Sequence, residues 1–249
     1  MSRFNHFYKV DERRNFVLLE SKAKAVEFMA EHFIACAKEA ILNRGQFFVA
    51  LSGGSTPKAI YKELALHHQK SLDWTKVHCF FSDERAVEKE DPDCNYHSAM
   101  TSGLQELPIL KNHIYRMKAE TAIEKEALAY ENLIESIVKD SSFDLVMLGM
   151  GEDGHTASLF PHSDGLKVDS RLVIANFIPS KNCMRMTFTF KLINQAKLAC
   201  FYVLGASKAS MCQKVLTPHL KTLDYPATLV GTPSHPALWI LDKEAKTTL

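Results

Sequence analysis

One segment restricts the possible folds of this chain more than any other. Residues 143–150 are almost entirely apolar and end in glycines. A strand with apolar side chains on both faces is buried on both sides, which is typical of a parallel sheet covered by helices. Segments 46–52 and 77–82 have the same character and predict two more strands. Later strands are predicted at residues 172–177, 185–190, 198–204 and 238–241.

Segments with helical periodicity separate these strands. Helices are predicted at residues 21–43, 57–67 and 207–216, and after residue 121. Gly45 is a stop signal for the first helix, and Thr121 with Glu124 forms a capping-box signal. Four aromatic side chains in the first 20 residues suggest an edge strand whose neighbour cannot be identified: Phe4, Phe7, Tyr8 and Phe16. The alternation predicts an α/β fold, and we expect one domain over residues 1–249.

The composition argues against several classes of partner. The 249 residues carry 30 basic and 29 acidic side chains, a formal net charge of +1, so neither nucleic acid nor an anionic membrane is expected. The six cysteines form no C-x-x-C pair, and no clustered Cys/His pattern suggests a metal. We therefore expect reduced thiols, a cytoplasmic location and no cofactor. No apolar window approaches about 18 residues, and the amino terminus lacks a signal-peptide pattern.

Three predicted strands end in unusual polar loops, where ligands of α/β folds bind. The first loop, residues 51–57, reads Leu-Ser-Gly-Gly-Ser-Thr-Pro. Its glycines let the backbone approach a ligand closely, Ser55 or Thr56 can cap the next helix, and Pro57 fits the first helical turn. Free N–H groups at that helix start suit phosphate. A tight strand–helix turn without a ligand is the alternative.

The second loop places Asp83, Glu84 and Arg85 in succession after a buried strand. Such side chains are rarely buried unless paired, so their position indicates a site. The alternative is a solvated loop with a local Asp–Arg pair. The same triplet recurs at residues 11–13 without a predicted strand before it, so the triplet alone is not diagnostic.

The third loop follows the strand at 143–150 and contains Glu152, Asp153 and His155. Its glycines match G-x-G-x-x-G, but two carboxylates beside a pyrophosphate and a helix stopped early by Pro161 argue against dinucleotide binding. An imidazole can take a proton from water at neutral pH, and a neighbouring carboxylate can orient it. The loop therefore predicts a general base.

Together these segments resemble the 6-phosphogluconolactonase family. The resemblance covers most of the chain from residue 47 onward, and the stretch GMGEDGHTASLFP at 149–161 is its most specific part. It runs in order through residues 51–57, 81–87, 93–96, 144–161, 185–189, 205–208 and 238–242. The resemblance implies a three-layer α/β/α sandwich with a mostly parallel central sheet, as in glucosamine-6-phosphate deaminases and ribose-5-phosphate isomerases.

The resemblance also implies roles for individual residues. His155 matches the histidine that activates the attacking water, and we expect Asp153 and Arg85 to complete the catalytic group. The residues expected to bind the substrate and its phosphate are Ser52, Gly53, Gly54, Ser55, Thr56, Asp83, Asn95, Arg185 and Lys208. The family usually has serine where this chain has Cys94, a side chain of similar size that forms weaker hydrogen bonds.

The function that the resemblance implies is hydrolysis of 6-phospho-D-glucono-1,5-lactone to 6-phospho-D-gluconate in the oxidative pentose phosphate pathway. The expected partner is this small sugar-phosphate lactone, and the sequence does not indicate an oligomeric state. One alternative is a glucosamine-6-phosphate deaminase, whose usual Asp-Glu-Tyr contrasts with Asp83-Glu84-Arg85 here. The other is a non-catalytic sugar-phosphate sensor, which would not need His155.

Overall fold

A computed structural model describes residues 7–246, and over that range it contains ten β-strands and six α-helices. The strands are β1 (Phe7–Lys9), β2 (Arg14–Leu19), β3 (Phe47–Leu51), β4 (Val77–Phe81), β5 (Asp83–Arg85), β6 (Leu145–Leu148), β7 (Val173–Ile178), β8 (Cys183–Phe188), β9 (Ala199–Val203) and β10 (Ala237–Asp242). The helices are α1 (Lys22–Arg44), α2 (Ser55–His67), α3 (Asn95–Thr101), α4 (Ile123–Ile137), α5 (Phe190–Gln195) and α6 (Ala209–Val215).

Seven strands form the large sheet, in the order β1-β2-β10-β9-β6-β3-β4. All its strand pairs are parallel except β1 with β2. Strands β4, β6 and β9 are buried at every position, as the apolar runs predict. The predicted α/β architecture with a mostly parallel central sheet is confirmed.

The small sheet was not expected. It consists of β5, β8 and β7 in that order, and its strands are antiparallel. The segment 83–85, predicted to be a loop, is its strand β5. The strand predicted at 185–190 lies two residues earlier, because Phe190 already begins α5. The backbone passes from the large sheet to the small one at Ser82, whose N–H donates to Leu51 O (2.8 Å).

Helices cover both sheets and give the layered arrangement. The buried side of α1 includes Met29, Phe33 and Ala37, and this helix contacts β2, β3 and β10 of the large sheet. As predicted, α1 ends at Gly45, whose backbone is left-handed (φ 80°) and whose N–H donates to Ile41 O (2.9 Å). Helix α4 instead contacts β7 and β8 of the small sheet.

The predicted capping box before α4 is wrong. The residue at the helix start is Ala122, which has a left-handed backbone (φ 40°), and within the described chain no side chain caps this helix. The helix therefore begins at Ile123, and Glu124 lies in its first turn instead of three residues into it. Ile123, Tyr130 and Ile134 are buried as predicted.

The predicted edge strand at the amino terminus is confirmed for Phe7 and Tyr8, whereas Phe16 lies in the neighbouring inner strand β2. β1 lies at one end of the large sheet and pairs with β2, which in turn lies beside β10. Tyr8 stacks on Phe16 with ring centroids 4.7 Å apart. Phe4, which belonged to the same prediction, lies outside the described residues.

Candidate functional site

The candidate site is a cavity of about 220 Å³ at the carboxyl ends of β3, β4, β6 and β9. After β3 the chain continues to β4 on one side, and after β6 it continues to β9 on the other. Ligands of open α/β sheets bind where the strand order reverses in this way. The lining residues are Ser52, Gly53, Gly54, Ser55, Thr56, Pro57, Asp83, Arg85, Gly149, Met150, Gly151, His155, Ala157, Arg185, Tyr202, Val203, Leu204 and Lys208.

The start of α2 forms one wall of this cavity. The predicted caps, Ser55 and Thr56, lie inside the helix, because the cap residue is Gly54. Gly54 has φ 103° and ψ 172°, a conformation that residues with a Cβ rarely adopt. No side chain from the described residues caps α2, so the backbone N–H groups of its first turn stay free for an anion.

The loop after β3 packs closely against the side chain of Asn95. Its amide donates to Asp83 O (2.9 Å) and Asp83 Oδ1 (3.2 Å). A Cβ atom on Gly53 would overlap the Asn95 side chain, so only glycine allows this approach. Asn95 is buried (2% exposed) behind the cavity wall, so it supports the binding loop instead of facing a ligand.

The buried carboxylate of Glu84 organises the segment between β5 and α3. It accepts hydrogen bonds from the N–H groups of Arg85 (2.9 Å), Asn95 (2.6 Å) and Tyr96 (2.9 Å). Burial raises the pKa of Glu84, although these three donors oppose the rise. The Cys94 thiol lies 3.4 Å from Glu84 Oε2 and accepts the His97 N–H, so it fills a capping position at α3. Burial raises the pKa of Cys94 to about 11.

Asp83 joins two of the predicted loops. Its Oδ2 accepts a hydrogen bond from the Ser158 hydroxyl (2.6 Å), and Ser158 N–H donates to Thr187 Oγ1 (3.1 Å). Asp83 and Thr187 are themselves paired across β5 and β8. The predicted alternative of a solvated Asp–Arg pair is therefore wrong, because Asp83 is 5% exposed and bonds to Ser158 and Asn95.

Two arginines of the small sheet line the cavity side by side. Arg85 and Arg185 are direct partners in the antiparallel pairing of β5 and β8. Arg85 Nη1 donates to Asp93 O (2.6 Å), and the Arg185 guanidinium lies 5.9 Å from the centre of the Phe160 ring. The buried Nε atoms of both arginines have no partner among the described residues. Like charges directly opposite each other destabilise a sheet, so an anion between them would relieve repulsion.

His155 and Asp153 form a close pair at the mouth of the third loop. The imidazole Nδ1 lies 2.5 Å from Asp153 Oδ1, which also accepts the His155 N–H (3.1 Å). Nε2 makes no hydrogen bond to any residue from 7 to 246 and is free to contact a ligand in the cavity. Burial alone would raise the pKa of Asp153, but the hydrogen bond and charge of His155 outweigh it and lower that pKa.

The His155 ring is confined on two further sides. A Cβ atom on Gly151 would overlap His155 Nδ1 and Asp153 Oδ1, so a glycine is required there. The ring stacks on Phe160, with centroids 3.7 Å apart and planes at 15°. Behind the loop, Gly154 O accepts the Ala227 N–H (2.9 Å). The imidazole is thus fixed in position and plane before a ligand arrives.

Lys208 reaches the cavity from a loop that β10 secures. Gly205 begins this loop with φ 92°, and its N–H donates to both carboxylate oxygens of Asp242 (3.0 and 3.2 Å). Asp242, the last residue of β10, is fully buried and also accepts the Ala245 N–H (2.9 Å).

The structure brings ten of the predicted site residues to one cavity. Asn95 and Asp153 do not line it but hold Gly53 and His155. Five further residues shape the site although the sequence patterns did not single them out as site residues: Glu84, Gly151, Ser158, Phe160 and Asp242. The charge of Glu84 after a buried strand was a usable signal, whereas Phe160 and Ser158 look like ordinary residues of a loop.

Two other features of the described chain bear on its chemistry. No group of three or more His, Cys, Asp or Glu side chains within residues 7–246 is arranged to hold a metal ion. Over the same range, none of the helices is both long and apolar enough to cross a membrane.

Comparisons with known proteins agree with the fold. The family of glucosamine-6-phosphate isomerases/6-phosphogluconolactonase matches residues 20–239. A 6-phosphogluconolactonase of Chlamydia muridarum is 39% identical over 94% of this chain and 90% of its own length. One of Synechocystis is 37% identical over 88% and 93%. The solved structure of 6-phosphogluconolactonase from Thermotoga maritima superimposes with a TM-score of 0.79 at 27% identity, over 92% and 99% of the two chains.

These matches extend over nearly the whole chain and confirm the resemblance drawn from its motifs. The chain belongs to the glucosamine-6-phosphate isomerase/6-phosphogluconolactonase family.

Proposed function

We propose that this chain hydrolyses 6-phospho-D-glucono-1,5-lactone to 6-phospho-D-gluconate, a step of the pentose phosphate pathway, with His155 as the general base. The observation that carries the proposal is the His155–Asp153 pair, whose free Nε2 belongs to a cavity lined by three cations. The names of the relatives support the lactone as substrate.

The base assignment is supported by the geometry around the imidazole. The Asp153 carboxylate accepts the Nδ1 proton, which leaves the lone pair on Nε2 as the proton acceptor. Nε2 takes a proton from water while the oxygen attacks C1 of the lactone. The C1–ring oxygen bond then breaks, the imidazolium returns its proton to the departing oxygen, and the product carboxylic acid ionises.

Substrate binding requires sites for two negative charges, the phosphate and the oxyanion that forms on C1. We assign the phosphate to the first turn of α2 together with Arg85, Arg185 and Lys208, because these donors converge on one cavity. Backbone N–H groups of the glycine loops are then available to the oxyanion. The hydrogen bonds of Asp83 to Asn95 and Ser158 hold the second and third loops together.

Location and domain organisation complete the proposal. All six cysteines are free thiols, which suits a reducing compartment, so we propose that the enzyme works in the cytoplasm. We propose that residues 1–249 act as one domain, because loops of the large sheet and strands of the small sheet contribute to the same cavity.

The test is a lactone-hydrolysis assay with freshly prepared 6-phosphogluconolactone, corrected for the spontaneous rate. We expect His155→Gln to lower kcat by about 10²- to 10⁴-fold, the usual contribution of a general base. His235→Gln is the matched control, since His235 is exposed at the amino end of β10, opposite the cavity. A wild type that adds nothing to the spontaneous rate would contradict the proposal, and turnover of glucosamine 6-phosphate would then be measured.

Binding without turnover identifies the second alternative. If 6-phosphogluconate stabilises the wild type against heat but neither substrate is consumed, the chain is a sugar-phosphate sensor. Retained binding by an inactive His155→Gln variant would instead support separate roles for the base and the cations.

A further inference from the structure

The feature that the proposed mechanism does not use is the aromatic face beneath the general base. The imidazole of His155 lies almost parallel to the Phe160 ring, with 15° between the planes and 3.7 Å between the centroids. Nδ1 is already bound to Asp153, so the hydrogen bond fixes one edge of the imidazole and Phe160 covers one face. Phe160 is 2% exposed and cannot contact the substrate itself, because it is not part of the cavity wall.

Phe160 is anchored by hydrogen bonds that do not involve the base. Its carbonyl oxygen accepts the N–H (3.2 Å) and the hydroxyl (2.8 Å) of Ser163. Asn176, on β7 of the small sheet, donates to Ser163 Oγ (3.1 Å) and to Ser158 O (2.9 Å). The aromatic ring is therefore supported by the small sheet, while the imidazole belongs to a loop of the large sheet.

We propose that Phe160 is a positioning residue for the general base: its ring fixes the plane of the His155 imidazole and stabilises the positive charge that the imidazole acquires in the reaction. This inference rests on the proposed function of His155. The face of an aromatic ring carries partial negative charge and attracts a cation, so it favours the imidazolium over the neutral imidazole.

Arg185 lies near the same ring but is affected less. Its guanidinium is 5.9 Å from the ring centre, at the outer limit of a cation–π contact. Removing the aromatic face should therefore change kcat, which depends on the base, more than KM, which depends on binding by Arg185.

The test compares Phe160→Leu and Phe160→Met, which keep an apolar side chain but remove the aromatic face, with Phe160→Tyr, which keeps it. We expect the first two to lower kcat by about 3- to 10-fold, the range of an aromatic pair, with a smaller change in KM. The acid limb of the pH–rate profile should move to lower pH by about half a unit, because the imidazolium loses its partner. Phe160→Tyr should keep both kcat and the position of the acid limb close to the wild-type values.

Phe47→Leu is the matched control for the loss of a buried ring. Phe47 is fully buried at the amino end of β3, opposite the cavity, and packs on Phe33. A merely structural role of Phe160 would lower the melting temperature as in Phe47→Leu and leave the pH profile in place. That outcome would overturn the inference.

An NMR titration of the His155 ring proton on Cε1 separates failure of this inference from failure of the proposed function. It needs no substrate, and the missing signal in His155→Gln gives the assignment. In the wild type the stacked Phe160 ring should shift this proton upfield, and in Phe160→Leu its titration should move to lower pH. An unshifted wild-type signal would contradict the stacking of His155 on Phe160, and with it the inference. This result depends neither on the folding of the two variants nor on hydrolysis of the lactone.

Discussion

The large sheet and the small sheet contribute different chemistry to the same cavity. The large sheet ends there in glycine-containing loops, which offer backbone N–H groups and the His155–Asp153 pair. The small sheet offers side chains directly from its strands, namely Asp83, Arg85 and Arg185. The central parallel strands β6 and β9, which are buried on both faces, carry no charged side chain within their length.

The antiparallel pairing of the small sheet holds two like charges close together. Antiparallel pairing places Arg85 directly opposite Arg185, and the ladder hydrogen bonds fix this geometry whatever the repulsion between the guanidinium groups. A loop with the same residues could separate them. The large sheet therefore supplies the close backbone approach to a ligand, and the small sheet supplies a fixed pair of cations.

The largest expected effect comes from the loop of the large sheet. In Gly151→Ala, the new Cβ would overlap His155 Nδ1 and Asp153 Oδ1, so the base and its carboxylate must separate. We expect kcat to fall by about 10²- to 10⁴-fold, because the contribution of the base is lost. Steady-state kinetics on the lactone measure the change.

Glu152→Ala sharpens this test within the same loop. Glu152 is exposed and does not line the cavity. We expect a much smaller loss of kcat than in Gly151→Ala. Equal losses in the two variants would mean that the loop, and not the His155–Asp153 geometry, is sensitive to substitution.

The next largest effect concerns the attachment of the small sheet. Buried Glu131 of α4 accepts hydrogen bonds from Arg171 Nε (2.8 Å) and from the N–H groups of Leu172 (3.1 Å) and Val173 (3.0 Å). Glu131→Ala leaves these donors without an acceptor, so we expect the free energy of unfolding to fall by about 2–4 kcal/mol. Urea denaturation measures the loss.

Glu135→Ala is the control on the same helix. Glu135 is exposed one turn further along α4, and its removal should change the free energy of unfolding by no more than about 0.5 kcal/mol. If Glu131→Ala is equally harmless, α4 does not hold the small sheet in place.

A third prediction separates binding from stability in the small sheet. Arg85→Gln and Arg185→Gln should each lower kcat/KM by about 10- to 100-fold, mainly through KM, because a charged hydrogen bond to the phosphate is lost. Without ligand, neither variant should unfold more easily, since removing one of two facing charges relieves repulsion. Kinetics and thermal melting with and without 6-phosphogluconate measure both effects.

Arg44→Gln controls for the change in net charge, because Arg44 pairs with Asp144 (2.6 Å) before the amino end of β3, away from the cavity. A fall in kcat with an unchanged KM in the Arg85 or Arg185 variant would assign that arginine to the lactone carbonyl instead of the phosphate.

The smallest expected effect is a loss of stability at acid pH, and it arises where α1 covers the large sheet. His32 of α1 is buried against Tyr202 of β9, and burial lowers the pKa of His32 to about 4. Below about pH 6.5, His32 binds a proton in the unfolded chain, whereas in the folded protein it stays neutral until the pH approaches 4. The free energy of unfolding therefore falls between about pH 6.5 and 4. We expect the free energy of unfolding to fall by roughly 1–2 kcal/mol from pH 7 to 5 through this residue.

His32→Gln should remove that part of the pH dependence, and His235→Gln, which alters an exposed histidine, should not. Burial also lowers the pKa of His78 to about 4, so a remaining slope in His32→Gln is expected. An unchanged slope in His32→Gln would contradict the assignment.

The two sheets also differ in how well their sequence predicts them. Strands β3, β4, β6 and β9 were predicted to within about two residues, because long apolar runs have few other uses in a globular fold. Strand β5 is short and charged, and the buried carboxylate of Glu84 finds its backbone donors 11 and 12 residues later, at Asn95 and Tyr96. Such long-range compensation leaves no local pattern.

The site was predictable where chemistry is carried by residue type. Charged residues after buried strands predicted Arg85 and His155, the resemblance implied Arg185 and Lys208, and the structure brings all four to the cavity. The supporting contacts were not predictable, because the roles of Phe160 and Asp242 depend on which strands are neighbours. Asn95 illustrates the same limit, since the resemblance implied a ligand contact, whereas the fold places its side chain behind Gly53.

The position of β10 has a consequence for synthesis on the ribosome. This strand lies between β2 and β9, so the amino-terminal hairpin of β1 and β2 touches the rest of the sheet only through it. More than 200 residues must therefore emerge from the ribosome before β2 can pair with β10. Until then the free edge of β2 in the hairpin has no partner strand. Asp242 of β10 also binds the start of the Lys208 loop. The insertion of β10 therefore completes the large sheet and the binding pocket at the same late stage of folding.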